Sequence, residues 1–171
     1  MGTTISGATG IDKVQDGTIV NADINSSAAI AGTKLVMPTG SVLQVVHGLS
    51  QTIATTTSNT AFASTGVTAT ITPSSTSSKI WIMTKTTGLG TSATDTLTAI
   101  FRGTVSGTNL TGNGSTKYNH SNSEPSDMVN TYLDSPSTTS ATTYTLGIKS
   151  SVNGQTSTAN TASTDGVITL M

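Results

Sequence analysis

Cysteine is absent from the 171 residues, which excludes disulfide staples and thiolate metal sites. Charge is scarce as well. Seven Lys and Arg against eight Asp and Glu leave a net charge of −1, and charged residues make up 9% of the chain where about a quarter is usual. So few scattered cations cannot build the basic face that phosphate backbones require, which argues against a nucleic-acid partner. No apolar run approaches the ~18 residues of a membrane span, so no insertion into a membrane is expected. The first residues, Met1-Gly2-Thr3-Thr4, lack the charged and apolar regions of a secretory signal, so synthesis in a cytoplasm without secretory processing is expected. Four prolines and a near-zero net charge are also unlike the usual composition of disordered chains.

Hydroxyl groups fill the space. Ser and Thr together exceed a third of the chain, with Thr the larger share. Thr tolerates a half-exposed pleated surface, so a Thr-rich, charge-poor chain points to an all-β fold. Aromatics are only 4%. A domain of this size can bury a core but is short of large side chains to fill it.

The first thirty-five residues carry isolated aliphatics, Ile5, Ile11, Val14, Ile19, Ile24, Ile30 and Leu35, separated by Gly, Ser, Thr, Asn, Asp and Ala. This spacing fits neither the helical nor the strand template. Ordering each residue costs about 1–2 kcal/mol, so one apolar bead in five cannot close a core within a single chain. Copies packed together can bury those beads against one another. An elongated oligomer is the expectation, with Ile11, Val14, Ile19, Ile24, Ile30 and Leu35 as its contacts.

The composition changes at Met37-Pro38-Thr39-Gly40. Beyond it, short alternating segments separated by turn residues predict about eight strands, and hence a sandwich or jelly roll. Residues 41–47 predict a first strand buried on both sides, followed by a polar strand or strand pair over residues 52–63. Residues 67–72 alternate, with Val67, Ala69 and Ile71 on one face. Residues 73–78 predict a turn, and residues 79–84 a central strand with Trp81 in the core. Leu97, Ala99 and Phe101 share one face of the next strand. Residues 104–136 read as a long outward segment with a short strand at 128–133, and strands at 143–149 and 166–171 close the domain.

Two stretches resemble the small fibre proteins of tailed bacteriophages, especially those of aquatic bacteria. The first is residues 10–35, with its phrases Asp16-Gly17-Thr18-Ile19 and Ala22-Asp23-Ile24. The second is Pro38-Thr39-Gly40-Ser41-Val42-Leu43-Gln44-Val45-Val46, followed by residues 71–80. The resemblance implies a homotrimer on the virion, with an extended trimerisation stalk (1–38) and a β-sandwich, jelly-roll-like head (39–171). It implies attachment to the host surface, with other virion proteins held through the N-terminal segment. The chain departs from long tail fibres in having no separate tail-attachment domain before the stalk, so a capsid-mounted fibre is the alternative.

Chemistry-bearing residues are few. His47 and His120 stand in no recognisable triad phrase, and Ser and Thr are too frequent for one to stand out as a nucleophile. His47 is expected to cap its strand or pack at an interface. No enzyme activity and no cofactor are expected. The densest stretch is residues 117–127, where Tyr118, Asn119, His120, Glu124 and Asp127 form a candidate receptor or glycan contact loop. The alternatives there are a plain solvated loop and a metal site, although the spacing matches no established ligand set. Glu124 and Asp127 are formally a carboxylate pair, but glycosidase chemistry would also need aromatic platforms beyond Tyr118 and Tyr132.

Overall fold

The computed structural model of the chain describes residues 37–38, 40–91, 94–112, 116–120 (as backbone), 125–161 and 166–171. The stalk positions Ile11, Val14, Ile19, Ile24, Ile30 and Leu35 lie outside the described residues, as does Glu124. The Ser41 amide and hydroxyl both donate to the Pro38 carbonyl, at 3.1 and 2.7 Å.

Val42–Met171 form one unit made of strands, with no helix among the described residues. The strands are β1 (Val46–Ser50), β2 (Ala54–Thr56), β3 (Ala63–Ile71), β4 (Ile80–Gly90), β5 (Thr94–Arg102), β6 (Thr108–Asn109), β7 (Thr116–His120), β8 (Ser126–Asp134), β9 (Thr142–Ser150), β10 (Ser157–Ala159) and β11 (Gly166–Leu170). They build two antiparallel sheets. In the first, β4 is central. One of its edges pairs with β8 from Ile80 to Gly88, and β11 and β10 share the other edge end to end. β1 lies outside β11, and β2 outside β10. The second sheet runs β3-β9-β5, with β7 and β6 sharing the outer edge of β5.

The aliphatic core lies between the sheets. Val67, Ile100 and Leu146 of the second sheet meet Ile82, Ile168 and Leu170 of the first, each at most 3% exposed. Each such burial contributes roughly 1.5–3 kcal/mol. Gly48 closes the sandwich on the β1 side. A Cβ there would come within 1.9 Å of the Thr68 carbonyl oxygen, so only glycine lets β1 approach β3 this closely.

Elsewhere in the interior, polar side chains pair with one another across the sheets. The Asn130 amide donates to Thr84 Oγ1 at 3.2 Å and to Thr98 Oγ1 at 3.0 Å, joining β8, β4 and β5. Asn160, at a φ of 57°, donates to the carbonyls of Thr52 and Thr65, both at 2.9 Å, and accepts from the Thr86 hydroxyl at 2.8 Å. Asn is among the residues that tolerate this left-handed backbone. Threonine thus does part of the work that large apolar residues do elsewhere.

Three expectations need correction. β1 starts at Val46, while Val42, Leu43 and Val45 are 60–62% exposed rather than buried. Trp81 is 40% exposed on the outer face of β4, not in the core. The 104–136 segment is not one long outward excursion: it contributes β6 and β7 to the second sheet, and β8 pairs with β4 over nine positions.

Candidate functional surfaces

The two outer sheet faces differ in what covers them. On the second sheet, Phe101 is only 3% exposed because Phe62 packs edge-on against it, with ring centroids 5.1 Å apart. Lys149 lays its ammonium 4.9 Å from the Phe62 ring centre, a cation–π arrangement. Gly147 lies beneath the same cover, and a Cβ there would meet Phe101 at 2.9 Å and Val105 at 3.2 Å. The chain's own loops therefore cover this part of the face, while Ser64, Thr68 and Thr70 of β3 stay exposed.

The outer face of the first sheet has no such cover among the described residues. Its register aligns Leu133, Trp81 and Met171 in one row, the last two joined by paired backbone hydrogen bonds of 2.9 and 3.0 Å. The next row aligns Thr131, Met83, Thr169 and His47, and the third Val129, Lys85, Val167 and Leu49. Strand alternation places all of these side chains outward, opposite the buried Ile80, Ile82, Ile168 and Leu170. Trp81 and Met83 are 40% and 41% exposed; Val129, Leu133, Leu49 and Val45 are 53–61% exposed. Within the third row, Lys85 reaches Asp127 of β8 at 3.1 Å. His47 is exposed in the second row, its Nδ1 3.3 Å from Thr169 Oγ1.

At one end of the interior, Arg102, Asp134 and Tyr144 tie the sheets together. Arg102 Nε donates to Asp134 Oδ2 at 2.8 Å, its other nitrogen donates to Oδ1, and the Tyr144 hydroxyl donates to Oδ2 at 2.7 Å. Burial disfavours the Asp134 carboxylate, but the hydrogen bonds from Arg102 and Tyr144 outweigh it and hold its pKa below the ordinary value. Burial, aided by the bond to Asp134, pushes the Tyr144 hydroxyl well above its usual range. The bond to Asp134 raises the Arg102 pKa despite partial burial. The Asp134 carboxylate is thus held from two sides, and the group ties β5 and β9 of one sheet to β8 of the other.

Of the sequence-chosen contact residues, Tyr118, Asn119 and His120 lie on β7, paired with Thr96, Asp95 and Thr94 of β5. They sit on a strand at the outer edge of the second sheet rather than in a loop. Asp127 stands on β8 of the other sheet, its carboxylate engaged by Lys85. β7 and β8 are in contact although they belong to different sheets. Thr94 and Thr96, opposite His120 and Tyr118, bury hydroxyl oxygens that have no hydrogen-bond partner among the described residues. The described residues contain no group of three metal-ligating side chains, and no helix long and apolar enough to cross a membrane.

The exposed apolar face was missed by sequence reasoning, although the signal was present: Trp81 and Met83 alternate with Ile80 and Ile82, so one pair had to face outward. No protein-family model matches the chain, and no curated protein matches it.

Proposed function

We propose that the chain is a fibre-like structural protein of a bacteriophage virion. It acts as a homotrimer that attaches the particle to a host surface, with residues 1–38 as the stalk that holds other virion proteins. The observation that carries this reading is the series Ile11, Val14, Ile19, Ile24, Ile30 and Leu35, which has no means of burial in one chain and a simple one in three. The strand orders support it from the other half. Taking the eight principal strands, β1-β11-β4-β8 faces β3-β9-β5-β7, the order expected of a jelly-roll head and an architecture used by viral capsid and lectin domains. Fold alone does not assign function, so the weight stays on the stalk pattern and the fibre resemblance.

The mechanism is adhesion by avidity. Three weak sites on one trimer raise the apparent affinity for a repetitive surface such as a glycan without a strong single contact. The β7 edge with Tyr118, Asn119 and His120, and the neighbouring Glu124 and Asp127, are the proposed contact residues. Neither catalysis nor a bound cofactor is part of this reading.

The test is the native mass of the purified protein by light scattering, with and without residues 1–38, joined to imaging of labelled protein on virions. A trimer for the full chain is expected. A monomer with residues 1–38 present overturns the reading, and label on the capsid shell converts it to a capsid decoration or head fibre.

A further inference from the structure

We propose that the exposed outer face of the first sheet, centred on Trp81 and Met83 and extending to Leu133, Leu49 and Val45, is the surface on which a second copy of this chain seats. The inference deepens the proposed trimer and rests on it, by naming where the heads meet.

Area is the first argument. The side chains in the adjoining rows, with Val129, are 40–57% exposed and together offer on the order of 500 Å² of apolar surface, the upper end for the largest patch of an ordinary monomer. That is more than half of the roughly 800 Å² each partner gives to a standard interface. Trp and Met are among the side chains that interfaces favour at their centre.

Charge chooses the occupant. A contact between copies sets this face against another part of itself, and a face whose charges cancel internally brings no like-charge repulsion to that contact. The charged side chain in the described rows is Lys85, and it is neutralised at 3.1 Å by Asp127, which stands opposite Thr87 one row further along β8. A nucleic acid would need clustered cations, and a lipid surface a rim of Lys and Arg, neither of which these rows provide. In a three-fold assembly this contact is heterologous, the β8 half of one copy meeting the β1 half of the next, and it closes when successive copies are rotated by about 120°.

Trp81 is the chain's single tryptophan, so its fluorescence reports on the middle of this face alone. The experiment measures acrylamide quenching of the full-length protein at its native mass, beside Leu133→Glu and Leu49→Glu. Both positions are more than half exposed, and circular dichroism checks that each variant folds. Expected is a trimer in which Trp81 is quenched several-fold less than in either folded variant. A wild-type trimer with freely quenched Trp81 overturns the assigned face while leaving the trimer intact. Shielding in a trimer that persists in every folded variant likewise overturns the face. A monomer overturns both readings; one with Trp81 shielded identifies the chain's own segment as the cover.

Discussion

The two sheets use the same alternating pattern, yet their outer faces end in opposite conditions. On the second sheet, Phe101 and Gly147 lie under Phe62 and Val105, supplied by the chain's own loops. On the first, Trp81, Met83, Leu133 and Leu49 remain exposed at comparable apolarity. A face covered from within adds to the stability of one chain. A face left open contributes only when something else covers it, so the two sets of residues weigh differently in the stability of one chain.

The largest effect should come from the clamp the two sheets share. Asp134→Ala leaves the Arg102 guanidinium and the buried Tyr144 hydroxyl without their acceptor. The expected loss is about 3 kcal/mol of unfolding free energy, at the low end for a broken buried pair because Arg102 is 32% exposed. Urea unfolding measures it, and both faces should suffer together. Acid offers the same break without mutation. The unfolded Asp134 carboxylate takes its proton near pH 4, whereas the folded one holds out to lower pH. This contribution is therefore complete above about pH 4 and is lost as pH falls through the folded value, a decline that Asp134→Asn should flatten in a series of thermal midpoints.

Gly147→Ala tests the covered face. Its new methyl meets the Phe101 ring at 2.9 Å, and overpacking of this kind costs about 1–3 kcal/mol, more than the few tenths to 1 kcal/mol alanine returns by restricting the unfolded chain. Chemical denaturation should show a net loss with native mass unchanged. The smallest effect belongs to the open face. Lys85→Ala removes an ion pair whose partners are 44% and 57% exposed, and it should change unfolding by less than about 1 kcal/mol, with even that difference fading in high salt. A large loss at Lys85 would erase the contrast between the faces.

Much of the sheet framework was legible in the residues. Val67, Ala69 and Ile71 alternate because β3 is half buried, and the apolar run at Ile80-Trp81-Ile82-Met83 does mark the central strand. That run also misled. A strand apolar on both sides gives no periodic sign of which side faces solvent, so Trp81 read as core. The interior threonines misled in the other direction: Thr84, Thr86, Thr94, Thr96 and Thr98 are all buried, although hydroxyl side chains are mostly found at surfaces. The Arg102–Asp134 pair joins β5 to β8 through pairing that local sequence does not encode. β7 was hidden in a Gly- and Asn-rich stretch, and its place beside β5 comes from the sheet edge it completes.

The position of β11 also governs timing. It is inserted between β1 and β4, so Val46 and Ile82 both find a neighbour in Leu170, far along the chain from either. A ribosome that has released β1 through β10 has therefore made a first sheet with a gap in its middle. Such long-range pairing folds slowly, and a strand edge left waiting is prone to mispair. The apolar rows around Trp81 reach their final width only when residues 166–170 arrive.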